Sequence, residues 1–184
     1  MDIVELVEGS LYAVRYTGYD DNEFIRLFTL WTEDKIYLEG FFEKNLNKLN
    51  NNFWRGISIQ EAIDSTVYQA RSLGRKLLEI AERGRTDRYE TLSTLFKPLH
   101  DTTTKIEAFE ENKAKSELRE NWLRIYAIRI EANLFVITGG AIKLSRTMNE
   151  DEYLLEELRK LEFVKAFLQD DDNADNFEIF ELFL

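Results

Sequence analysis

Two apolar runs separated by three residues constrain this chain most: Leu123 to Ile130 and Leu134 to Thr138, joined by Glu131-Ala132-Asn133. A connection that short brings the chain back on itself as an antiparallel hairpin. Both runs are apolar on both faces, whereas a strand with one face in water alternates apolar and polar side chains. The pair is therefore expected at the centre of a sheet covered by helices. Strand periodicity puts Arg124 and Tyr126 on one face of that hairpin and Arg129 on the other.

The remaining elements follow from local patterns. Leu11-Tyr12-Ala13-Val14-Arg15-Tyr16 reads as a strand ending at Gly18. Asp21 or Asn22 can cap a short helix through Phe24, Leu27 and Phe28, and Thr32 a second one carrying Ile36, Tyr37, Phe41 and Leu49. Ser58-Ile59-Gln60-Glu61 is a capping box, after which Ile59, Ile63, Val67, Ala70, Leu77 and Ile80 keep one helical face apolar until Gly84. The segment around Pro98 reads as an extended connection or loop. Asn149 begins a last helix with an acidic first turn, its inner face lined by Tyr153, Leu154, Leu158, Leu161 and Leu168. The acidic stretch 170–176 is expected to be a flexible, solvated tail leading to an apolar end.

At 184 residues, 44% of them apolar, the chain has material for one domain with a sizeable core, residues 1–184. The absence of cysteine excludes a disulfide framework and a thiolate zinc site, and the lone His100 excludes a site built on several imidazoles. Met1-Asp2-Ile3-Val4-Glu5 lacks the basic start of a signal peptide, and charge interrupts every apolar stretch before it could span a bilayer. A cytoplasmic location without membrane contact is the expectation. The net charge of −11 is uneven: residues 1–70 carry 6 basic and 12 acidic side chains, 71–149 carry 15 and 11, and 150–184 carry 3 and 12. A basic middle thus lies between acidic ends, and a net charge directs partners where it clusters in space.

Most motif-like features are incomplete. Asp170, Asp172, Asn176 and Glu181 have the spacing of calcium-loop ligands, but Ala174 stands at another ligand position and Asp175 where the loop needs glycine. No metal and no cofactor are expected. Gly139-Gly140 lacks the spacing of a phosphate-cradling loop and fits a bulge or turn at a strand end. His100 beside Asp101 reads as a surface pair, and no nucleophile elbow precedes a helix. What remains is a basic cluster on and beside the hairpin: Arg119, Arg124, Arg129, Lys143 and Arg146, with Tyr126. Metal-free RNA cleavage needs a group that takes the 2′-hydroxyl proton, cations that stabilise the phosphorane, and a donor to the leaving oxygen. Arg, Lys and Tyr can fill those roles. Equally, these residues can be strand-end and rim charges paired with Glu117, Glu120 and Glu131.

Ser116-Glu117-Leu118-Arg119, then Leu123-Arg124-Ile125-Tyr126-Ala127-Ile128, then Leu134 through Gly139-Gly140-Ala141-Ile142-Lys143 resembles the core of RelE/HigB-like toxins. The resemblance covers about residues 95–146. It implies an α+β fold, a small and mostly antiparallel sheet packed on several helices, here with extra N-terminal helices and a C-terminal helix. It also implies mRNA cleavage, on the ribosome or free, and a helix-turn-helix antitoxin as partner. By position Arg119 and Arg124 would stabilise phosphate, Lys143 would sit at the active face, and Tyr126 would transfer a proton. Lys97 and Arg146 would contact RNA. The alternatives are a non-catalytic protein-binding module with the same fold, and a regulatory protein of a phage or mobile element.

Overall fold

The computed structural model describes residues 1–50, 54, 56–98, 121–144, 152–172 and 178–182. The chain opens with an antiparallel pair, β1 (Asp2–Val7) and β2 (Leu11–Arg15), turned at Gly9, whose φ of 62° suits glycine. Four helices follow, α1 (Glu23–Thr32), α2 (Lys35–Lys44), the single turn α3 (Leu46–Leu49) and α4 (Ile59–Arg83). Then come the two-residue β3 (Lys97–Pro98), the hairpin β4 (Leu123–Glu131) and β5 (Leu134–Ile142), helix α5 (Glu152–Asp172) and β6 (Glu178–Leu182). The six strands form one sheet in the order β1-β2-β5-β4-β6-β3. Among the described residues only β2 and β5 run parallel, and the other pairings are antiparallel. The fold is α+β.

Helices cover both faces of the sheet, as the doubly apolar hairpin requires. On one face α1, α2 and α4 bury Leu27, Trp31, Leu38, Phe42, Leu73 and Leu77 against Leu11, Ile125, Phe135 and Ile137. On the other, Leu154, Leu161 and Val164 of α5 pack on Val14, Tyr126, Ile128 and Val136. Helix α4 begins as its capping box dictates: Ser58 Oγ accepts the Glu61 N–H, and the Glu61 carboxylate accepts the Ser58 N–H at 2.9 Å. Among the described residues, no helix is long and apolar enough to cross a membrane.

Several local expectations shift. The helix expected from Thr32 to Leu49 is divided, because Thr32 ends α1 with its hydroxyl bonded to the Phe28 carbonyl, Asp34 caps α2, and the Asn45 side chain takes the Phe41 carbonyl. Short polar side chains compete for backbone groups in this way and end helices. The Pro98 segment is not wholly a loop: Lys97–Pro98 pairs with β6 at the sheet edge, where a residue without an N–H is tolerated. The acidic stretch is not simply a solvated tail either, since Asp170–Asp172 belong to α5 and β6 is a sheet strand burying Phe180 and Leu182. Strand β1 was not anticipated; it is held by cross-strand pairs such as Arg15 with Asp2 at 2.7 Å.

Candidate functional site

The hairpin positions the predicted residues by strand alternation. Ile125 and Ala127 face the α4 side, and Tyr126 and Ile128 face α5, so Arg124 shares the α5 side with Tyr126. Strand β6 runs beside β4 with Glu181 opposite Tyr126, and Lys97 of β3 stands opposite Glu181 on its other side. Lys143 follows β5, and its N–H donates to the Trp122 carbonyl at 2.7 Å. Arg124 and Tyr126 thus lie towards the open end of the hairpin, with Lys97 two strands from Tyr126 across β6 and Lys143 just past β5. Arg119, Arg146 and the pair His100-Asp101 lie outside the described residues.

Arg124 and Tyr126 are interior groups. The Arg124 side chain is 14% exposed; its Nε lies 3.3 Å from Glu181 Oε1, and Nη1 donates to the carbonyls of Asn121 and Leu123. Burial lowers the Arg124 pKa from its ordinary value, and Glu181 opposes that shift. Tyr126 is fully buried, and its hydroxyl makes no hydrogen bond among the described residues. Burial, followed by the Glu181 charge, raises its pKa well above that of an ordinary phenol. Tyr126 is therefore a neutral donor, not a phenolate base.

A second polar cluster adjoins the first. Tyr126 opposes Gly139 and Ala127 opposes Ile137, which leaves Thr138 as the extra residue of a β-bulge. Near this bulge β2 no longer pairs with β5, and side chains replace the missing strand. The Tyr16 hydroxyl donates to the Thr138 carbonyl at 2.8 Å, and Glu157 of α5 accepts the Gly140 N–H at 2.9 Å. Gly139 makes room for that carboxylate, because a Cβ there would collide with Glu157 Oε2. Glu157 also pairs with Lys160 at 2.7 Å; Lys160 lies 3.9 Å from Glu23, which holds Arg26 through two hydrogen bonds. Burial raises the Glu157 pKa, with Lys160 opposing it. Burial first, then Glu23, also raises Tyr16.

Together the clusters form a polar stripe across the α5 face, from β6 through β4 and β5 to β2 and α1. Among the described residues its ion pairs join Arg26, Arg124 and Lys160 to Glu23, Glu157 and Glu181. Buried ion pairs of this kind add little net stability, since desolvation offsets their attraction, and perturbed groups concentrate at functional sites. The sequence reading missed Glu23, Arg26, Glu157 and Lys160, and met Glu181 only as a position of the incomplete calcium loop. Glu157 carried a signal: it occupies a place in the inner stripe with Leu154, Leu161 and Val164. Glu181 carried none, because which cation it meets depends on strand pairing. Among the described residues, no group of three or more metal-ligating side chains could hold a metal ion. No family model, curated protein or solved structure matches the chain.

Proposed function

We propose that the chain is a RelE/HigB-like toxin, a metal-independent endoribonuclease acting on mRNA and paired with a helix-turn-helix antitoxin, and that the closed arrangement above is its resting form. The observation that carries this reading is the placement of Arg124 and Tyr126 towards the open end of an antiparallel hairpin, with Lys97 across β6 and Lys143 just past β5. In the reaction Arg124 stabilises the charge that develops on the phosphorane. The 2′-hydroxyl attacks phosphorus as its proton passes to a water molecule, and the P–O5′ bond breaks as the Tyr126 phenol, kept neutral by burial, gives its proton to the leaving oxygen and regains one from solvent. Lys97 and Lys143 hold the flanking phosphates. Arg119 and Arg146 join them only through the sequence resemblance.

A second reading, a non-catalytic protein-binding module, is favoured by the pairing of Arg124 with Glu181 and the burial of Tyr126, which hold both groups inside the fold. Expression of the intact chain in a bacterial host separates the two. The toxin arrests growth and shortens cellular mRNA, and Arg124→Ala relieves the arrest with a rate loss on the order of a hundredfold. Urea unfolding of the purified variant serves as the folding control. A wild-type chain that is harmless at high expression, and leaves mRNA intact on translating ribosomes, favours the binding module.

A further inference from the structure

We propose that Glu181 is an internal anion occupying, on Arg124 and beside Tyr126, the place of an RNA phosphate, so that strand β6 keeps the site closed until a phosphodiester replaces the carboxylate. This inference rests on the nuclease reading and adds its regulation. Three observations carry it. Glu181 and Arg124 are equally shielded, each with 14% of its side chain exposed, yet among the described residues Glu181 Oε1 contacts Arg124 by charge without accepting a hydrogen bond. The adjacent Tyr126 hydroxyl is buried and also unbonded among the described residues. A donor and an acceptor on opposed residues of neighbouring strands, neither making among the described residues the hydrogen bond that buried polar groups normally make, describe a site fitted for a different occupant. A phosphodiester carries its two charged oxygens on a tetrahedral phosphorus, at a different angle and reach from those of the carboxylate, so that one can accept from the phenol while the other meets the guanidinium.

Lys97, across β6 from Glu181, gives the same row of the sheet a second cation. Once the carboxylate withdraws, the row Arg124, Tyr126 and Lys97 has the composition of a phosphate site. The exchange requires no loss of β6 as a strand. Phe180 and Leu182, which anchor it, face the opposite core. Glu181→Gln removes the charge beside Arg124 while keeping the volume of the side chain, so it tests the anion apart from the strand.

The test uses the full chain, a short fluorescein-labelled single-stranded RNA, and anisotropy across a range of salt. Glu181→Gln is expected to bind the RNA about tenfold or more tightly than the wild type, because it removes the carboxylate charge that competes with phosphate at Arg124. Its salt dependence should steepen by about 0.7 in the slope of log K against log salt for the single phosphate gained. Adding Arg124→Met to Glu181→Gln should abolish both gains. Unchanged binding in Glu181→Gln, or gains that persist without Arg124, overturn the proposal. Should Glu181→Gln fail to fold, the wild-type chain decides: the Arg124 Nε–Hε NMR signal must move on saturation with RNA, and an unmoved signal overturns it. If Arg124-dependent binding appears while neither chain arrests growth or cuts mRNA, the internal anion stands and the nuclease reading falls. If the wild type cuts mRNA and Glu181→Gln binds no better, the nuclease reading stands and the internal anion falls.

Discussion

Two glycines show how far a single residue's meaning depends on its surroundings. Gly139 lies where a methyl group would collide with the Glu157 carboxylate, whereas Gly40, within α2, has nothing within 4 Å of its absent Cβ. Gly139→Ala should destabilise the fold by about 2 to 4 kcal/mol, by crowding and by separating Glu157 from the Gly140 N–H. Gly40→Ala should stabilise it by up to about 1 kcal/mol through helix propensity. Urea unfolding of the two variants measures the contrast, and equal effects would discredit the close approach at Gly139. Glu157 itself predicts a pH dependence. Its folded pKa is raised above the ordinary carboxyl value, so its favourable contribution is present at acid pH and is lost as pH rises through that folded value. Glu157→Gln cannot ionise, so relative to the wild type it should be more stable at neutral pH than at pH values near about 4. Parallel stability curves across that range would contradict the buried-carboxylate account.

Among the elements, α4 and β6 stand at opposite ends of legibility. Helix α4 announces itself through Ser58 and Glu61 and through an apolar stripe that the structure buries at Ile63, Ala70, Leu73 and Leu77. Ser58→Ala should cost about 1 kcal/mol by removing the acceptor for the Glu61 N–H, measured as a shift in the denaturation midpoint at unchanged m-value. No shift would mean that Glu61 alone holds the helix start. Strand β6 follows an acidic stretch and is short, and its place between β4 and β3 is set by partners distant in sequence.

For the whole molecule the question is whether the C-terminal strand belongs to the core. Removal of residues 178–184 would strip Phe180 and Leu182 from the α4-side core, where Phe180 meets the Phe135 ring edge to face at 5.6 Å. Two buried side chains of this size contribute about 1.5 to 3 kcal/mol each. For a chain of this length the truncation should lower Tm by about 10 to 20 °C. Calorimetry checks it, and an unchanged Tm would make β6 a solvated appendage. The expected loss also explains why a single substitution at Glu181, not truncation, is the informative probe of the site.

By itself the amino-acid sequence determined whatever depends on near neighbours. The capping box and α4, and the hairpin with Arg124 and Tyr126 on one face, follow from periodicity and short connections, whereas Gly139-Gly140, expected at a strand end, lie inside β5 beside the bulge at Thr138. Tertiary structure alone decided the parallel seam of β2 with β5, the insertion of β6, and the meeting of Glu181 with Arg124 and of Glu157 with the Gly140 N–H. The reason is physical. Local patterns report which face of an element avoids water, but the counter-charge of a buried cation is chosen by packing between segments far apart in the chain, and an Arg in a strand reads the same whether it faces solvent, a phosphate or a carboxylate of its own fold.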